Sequence, residues 1–188
     1  WPEVLVPFVN DYTIRLTASE IAKKTKIPRR TISRILGRLV KSNLIRYIIE
    51  GKNKKYYLEL KDQKTKLLLG FVEYYKALKF SSEKKKIFIV LEELMKLRGV
   101  VLFGSYAKGT AAEESDIDIL VIGNKSENIR EIARRQTKQV NLHFSTLREF
   151  EKLLKKKNVL ALEIMKNHIT FGNSQFIELC WRFYRNEL

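Results

Sequence analysis

The apolar run Val100-Val101-Leu102-Phe103 ends abruptly at Gly104-Ser105-Tyr106-Ala107-Lys108-Gly109, and a short spacer leads to Ser115-Asp116-Ile117-Asp118-Ile119-Leu120-Val121. This stretch constrains the chain most, because it requires two adjacent strands whose ends meet at a ligand. Four apolar residues in a row read as a buried strand, and Gly104 breaks it where a backbone without a Cβ can come close to another group. Successive amides and the Ser105 hydroxyl at such a turn can cradle phosphate oxygens, with Lys108 adding positive charge. Side chains alternate along a strand, so Asp116 and Asp118 share one face while Ile117 and Ile119 take the other. Two carboxylates aimed at one point suit magnesium, a hard cation held by one or two carboxylates together with substrate phosphates. A nucleoside triphosphate with Mg2+ is therefore the expected ligand, since phosphate beside metal is what phosphoryl-type transfer needs.

The order G-S-x-A-x-G, spacer, S-D-x-D-hydrophobic resembles the active-site signature of the nucleotidyltransferase superfamily that includes DNA polymerase beta. Its small archaeal and bacterial members are the most similar, and the resemblance covers roughly Glu83 to Phe144. It implies catalytic and metal-binding roles for Asp116 and Asp118, and phosphate contacts for Gly104, Ser105 and Lys108. It also implies a third carboxylate on a later strand. In Gln139-Val140-Asn141-Leu142-His143-Phe144 that place falls to Asn141, whose amide carries no charge and takes no proton at neutral pH. Lys108 stands where the family often has arginine, and keeps the charge without the planar fork. His143 shares a strand face with Asn141, but a lone strand histidine reads first as a structural residue. His168 has no ligating neighbours at metal spacing.

The first third reads differently. Thr17 with Glu20 three positions on is a capping box that opens a short helix, and Pro28 begins a second whose Ile32, Ile35, Leu36 and Leu39 recur at helical spacing. That leaves Arg29, Arg30, Thr31, Ser33, Arg34 and Arg38 on the outer faces, a set suited to phosphates and base edges in a major groove. Leu44 to Glu50 and Tyr56 to Leu60 read as strands around a basic turn, Gly51 to Lys55, with Lys52, Lys54 and Lys55 at its tip. Across Asp11 to Leu60 the pattern resembles the winged helix-turn-helix domain of prokaryotic, especially archaeal, transcription regulators. That resemblance implies double-stranded DNA as a partner and is compatible with a homodimer on a palindromic site; a winged helix used for protein contact is the alternative. The charge agrees in sign. Of the net +16 of the 188 residues, Trp1 to Lys61 holds 14 Lys and Arg against 5 Asp and Glu, a net +9 in a third of the length.

Lys64 to Leu78 reads as a linking helix that packs or dimerises, a second helix is expected from Ser82, and Thr146 with Glu149 forms another capping box. Phe176 to Tyr184 is an apolar terminal helix. No run approaches the roughly 20 apolar residues of a membrane span, the first residues lack the parts of a signal peptide, and the single Cys180 fits a packing role in a reducing compartment. A cytoplasmic, membrane-free protein is expected. The fold class expected is α+β: a winged helix at 1–61, a linking helix at 62–81, and at 82–188 a nucleotidyltransferase-like domain with a mixed sheet and helices largely on one side. Two functions remain open: a transferase of nucleotidyl groups, or a DNA-binding regulator whose transferase-like domain only senses nucleotide or docks a partner.

Overall fold

Thr17 turns the chain into its first helix by the reciprocal bonding its sequence predicts. Its hydroxyl accepts from the Glu20 N–H at 3.2 Å, and the Glu20 carboxylate accepts from the Thr17 N–H at 2.7 Å. These bonds, the backbone one first, hold the Glu20 carboxyl below its ordinary 4.5. The computed structural model describes residues 1–187, which divide into two compact units, residues 1–75 with 181–187, and residues 76–180. Leu188, the last residue of the expected second domain, lies outside the described residues.

In the first unit a 3-10 helix, Pro2–Phe8, precedes strand β1 (Leu16–Thr17), helix α1 (Ala18–Thr25), helix α2 (Arg29–Lys41), strand β2 (Arg46–Glu50) and strand β3 (Asn53–Tyr57). Ile21 of α1 and Ile32, Leu36 and Leu39 of α2 are buried as the spacing predicts, while Ile35, expected in the same stripe, is only partly buried. Pro28 is the N-cap of α2 and not its first residue, an offset of one position. The three strands form a sheet in the order β1-β3-β2, all antiparallel. The hairpin turn is tighter than its composition suggests. Gly51, with φ near +59°, and Lys52 make the whole connection, so Lys54 and Lys55 lie on β3 and not at the tip.

Helix α3 (Gln63–Glu83) is 21 residues long, so it covers the expected linking helix and continues through Ser82 and Glu83, where a new helix was expected. The division between the units falls inside it, after Tyr75, and 181–187 group with the first unit, unlike the expected boundaries at 61 and 81. Helical pattern marks where a helix is; which residues then touch one another is set by packing.

The second unit continues with helix α4 (Lys85–Met95), strand β4 (Val100–Phe103), helix α5 (Gly104–Lys108), strand β5 (Ile117–Ile122), helix α6 (Glu127–Arg134), strand β6 (Val140–Ser145), helix α7 (Leu147–Lys155), helix α8 (Val159–Lys166), strand β7 (Ile169–Phe171) and helix α9 (Ser174–Tyr184), whose end belongs to the first unit. The sheet is mixed, in the order β6-β5-β4-β7, with only β5 and β6 parallel. That parallel pair needs a crossover, and α6 supplies it. On one face Val100, Leu102, Ile117, Ile119, Val121 and Phe171 pack with Ile87, Val90, Leu91 and Leu94 of α4 and Ile129 of α6. The opposite face is dry only in part, since Asp118, Asn141 and His143 on it are partly exposed. Val101, Phe103, Leu120 and Thr170 are buried there, so over these residues the sheet is covered on both sides and not largely on one. A strand buried on both faces reads as a continuous apolar run, which is the character of Val100 to Phe103.

Candidate active site

Register brings the two motifs together. Phe103 pairs with Asp118 across β4 and β5, and Asp118 pairs with Asn141 across β5 and β6, so the end of each strand delivers one piece of the site. Gly104 follows Phe103 directly and sits at φ +68°. A Cβ built on it would lie 2.2 Å from Asp118 Oδ2, so both its dihedral and the carboxylate beside it require glycine. The expected loop is in fact a short helix: α5 starts at Gly104 and ends at Gly109, which has φ +74°. Ser105 lies in its first turn, partly exposed, while Tyr106 is buried in the core and anchors the turn to the sheet.

The Ser115 of the second motif has a structural role of its own. Its hydroxyl accepts from the Ala112 N–H at 2.9 Å, and its N–H donates to the Ala112 carbonyl at 3.2 Å, closing a turn that aims Asp116. Asp116 and Asp118 are both partly exposed, flanked by buried Ile117 and Ile119 as strand alternation predicts. Asn141 Nδ2 donates to Asp118 Oδ1 at 3.0 Å and, more weakly, to Asp116 Oδ2 at 3.4 Å. Gln139 Nε2 in turn donates to Asn141 Oδ1 at 3.1 Å. An amide therefore supplies the positive end of a dipole between two carboxylates, and Gln139 orients it. The two aspartates are hard oxygen donors that fit magnesium in kind, while the Asn141 oxygen is engaged by Gln139 and its Nδ2 faces the acid pair.

Lys108 does not stand free. Its Nζ lies 2.5 Å from Glu163 Oε1 of α8, both side chains being well exposed. The His143 ring meets Phe103 edge to face at 5.3 Å. His168 is buried, its Nδ1 3.0 Å from the Ile164 carbonyl and its ring edge-on to Phe176, a packing role. A cavity of about 580 Å3, lined by Lys84, Lys85, Lys86, Tyr106, Ala111 and Lys138 among others, opens beside the loop that leads to Asp116.

A family model described as a nucleotidyltransferase domain matches residues 84–178, half of the chain, and spans both motifs and Asn141. This chain belongs to the nucleotidyltransferase-domain family. A provisionally named protein adenylyltransferase of Methanocaldococcus jannaschii is 32% identical over 93 residues, which are 49% of this chain and 68% of that relative. A second of the same provisional name and organism is 33% identical over 63 residues, 33% of this chain and 63% of the relative. A 55-residue stretch is 47% identical to DNA-directed RNA polymerase III subunit RPC3 of Candida albicans, 29% of this chain and 9% of that protein. The match thus spans less than two thirds of the last two. No solved structure matches the chain.

Within the nucleotidyltransferase domain, Gly104, Ser105, Asp116, Asp118 and Asn141 come together, and Lys108 follows one turn on, held by Glu163. Gln139 and Glu163 were not legible as site residues. Gln139 could have been found by strand period, two positions before Asn141; Glu163 is 55 residues from Lys108 with no pattern to link them.

In the first unit Arg29, Arg30, Ser33, Arg34 and Arg38 are exposed on α2 and Thr31 is partly so. Gly37 lies on the same exposed side, where a Cβ would meet nothing within 4 Å. The hairpin lysines are more engaged than their sequence suggests. Lys55 Nζ lies 2.5 Å from Glu50 Oε2, which pulls the Glu50 carboxyl below its ordinary value, and Lys54 Nζ stands 4.4 Å from the centre of the Tyr47 ring. Lys52 alone of the three is in the turn itself. No helix among the described residues is long and apolar enough to cross a membrane.

Proposed function

We propose that this chain binds a nucleoside triphosphate with Mg2+ and transfers its nucleotidyl group to an acceptor hydroxyl, with pyrophosphate leaving. The observation that carries this reading is the convergence of Asp116, Asp118 and Asn141 at adjacent strand ends against a glycine whose place beside the Asp118 carboxylate leaves no room for a Cβ. Asp116 and Asp118 hold the metal, and Ser105 with the Gly104 turn meets the phosphates. Magnesium supplies neutralisation of the charge on the phosphate oxygens when it is bound. Lys108 reaches the phosphates by exchanging Glu163 for them. A pair this exposed contributes at most about 1 kcal/mol, so the exchange is cheap. Two relatives provisionally named protein adenylyltransferases favour ATP as donor and a protein hydroxyl as acceptor.

The first unit we read as a winged helix, with α2 entering the major groove of duplex DNA through Arg29, Arg30, Arg34 and Arg38, and Lys52 at the wing against the backbone. The support is the exposed basic face of α2 beside a three-stranded sheet with a tight hairpin. A second reading has one observation in its favour. Asn141 donates into the acid pair where a base or third metal ligand would serve transfer, which suits a regulator that senses nucleotide without turning it over.

Incubation with α-labelled ATP and Mg2+, alone and with cell protein, tests the first reading. Label on protein and released pyrophosphate are expected, both lost in the D116A/D118A variant. Magnesium-dependent ATP binding in wild type with no release of pyrophosphate would replace transfer by sensing. Unchanged magnesium-dependent affinity in the double variant would overturn the site itself.

A further inference from the structure

Helix α3 is apolar on two opposite sides. Leu68, Leu69, Val72, Ala77 and Phe80 are buried. At 100° per residue, Leu67, Phe71, Tyr74 and Leu78 centre on the other side of the helix. They are 76%, 50%, 42% and 67% exposed. Their spacing of four, three and four residues is that of a seam between two helices, which repeats every 3.5 residues. The Trp1 ring stacks on Phe71 at 5.6 Å between centroids and is itself 52% exposed, so it widens the patch. No acid or base falls among these five side chains. One stripe of this helix packs inside the chain, and the opposite apolar stripe is left uncovered by it.

Gly70 adds an independent sign. It lies one turn from Leu67 and Tyr74, next to Phe71, in the middle of the helix. A Cβ there would meet nothing within 4 Å. Glycine in a helix interior is about 1 kcal/mol less favourable than alanine, and nothing inside the chain calls for it. A second backbone crossing close to α3 would.

We propose that the occupant is a second copy of this chain, pairing α3 with α3 about a two-fold axis. The area supports that choice. At ordinary side-chain sizes the exposed fractions leave about 500 Å2 per chain, and pairing identical patches buries roughly 1,000 Å2, the lower bound for a specific interface. A repeated four-three spacing is self-complementary: whichever way the second helix runs, its apolar side chains meet apolar side chains. A two-fold dimer is also the form that presents two α2 helices to a palindromic DNA site. The net +16 of each chain opposes association over long range, so the dimer strengthens as added salt screens that repulsion.

Sedimentation velocity of the full chain over a concentration series reads this directly. The expected result is a monomer–dimer equilibrium with the dimer dominant above about 10 µM and tightening as salt is raised. The double variant Leu67→Glu, Phe71→Glu should raise the dimer dissociation constant about 100-fold or more, since two seam side chains per chain lose their burial. Circular dichroism should show its helix content unchanged, because both positions are exposed in one chain. If that variant does not fold, Leu67→Ala with Phe71→Ala gives the same readout with smaller steps. A wild-type chain that stays monomeric up to about 100 µM overturns the proposal, whatever else then covers the stripe. A dimer of unchanged affinity in the variants places the interface elsewhere and overturns it as well.

Discussion

Replacing Asn141 by aspartate should convert a quiet acid pair into a triad that tolerates itself only with metal bound. In the native chain the Asn141 amide donates to Asp118 Oδ1 at 3.0 Å and to Asp116 Oδ2 at 3.4 Å. The Asn141→Asp substitution removes both hydrogen bonds, each a net contribution of about 1 kcal/mol. It also adds a third negative charge about 3–4 Å from the other two, a repulsion of about 1 kcal/mol per pair in water and about 4 at an effective dielectric of 20. The carboxylates are partly exposed, so the lower figure governs and the total is about 3–4 kcal/mol. At about 2–4 °C per kcal/mol for a chain of this size, the melting temperature should fall by roughly 6–16 °C without metal. Millimolar Mg2+ should restore most of it, because a bound cation turns the repulsion into coordination.

The pH dependence has a definite sign. A third carboxyl beside the pair repels only when ionised, so the variant should come nearest the native chain in acid, where only the lost hydrogen bonds separate them, and should lose further stability as rising pH ionises the crowded groups. Calorimetric melts with and without Mg2+ between pH 4 and 8 measure this, and turnover of labelled ATP should rise in the same variant as a third ligand or base appears, by a factor within about 10²–10⁴ for general base help. A variant as stable as wild type in EDTA at neutral pH would refute the reasoning, since it would mean that Asn141 does not face the acid pair.

Gly104→Ala should be destabilised by about 2–3 kcal/mol, from the left-handed dihedral and from pushing Asp118 aside, and should lose magnesium-dependent nucleotide binding; calorimetric titration beside a thermal melt checks both. Thr17→Ala should lower stability by about 1 kcal/mol. The native capping box should itself weaken as pH falls below 4.5, because the depressed folded value of Glu20 gives stability that is present above the unfolded value and lost beneath it. Duplex DNA affinity should fall steeply with salt, and Arg29→Ala with Arg30→Ala and Arg34→Ala should flatten the log–log slope by about 0.9 for each phosphate that is no longer neutralised; an unchanged slope would remove α2 from the interface. Gln139→Ala should leave the fold intact and free the Asn141 amide to turn, seen as an altered magnesium dependence of ATP binding; identical titrations would show that Gln139 orients nothing.

Much of the site was legible because its signals are local. Strand period places Asp116 and Asp118 on one face, a capping box is a four-residue pattern, and a glycine before a helical turn is a backbone requirement, so Thr17, Gly104 and the acid pair needed no knowledge of distant neighbours. The hairpin lysines show the limit of that reading: composition marks a turn, but the tight two-residue connection at Gly51-Lys52 is fixed by pairing Glu50 with Asn53 across the strands, which moves Lys54 and Lys55 onto β3. Other features exist only once distant segments meet. The direction of Asn141's donation, the grip of Glu163 on Lys108 and the burial of β4 on both faces each depend on register and packing between residues tens of positions apart. Sequence by itself determined which side chains could hold metal and phosphate. The tertiary structure decided which partner each of them meets, because a hydrogen bond or an ion pair is a matter of a few ångströms that no spacing along the chain can set.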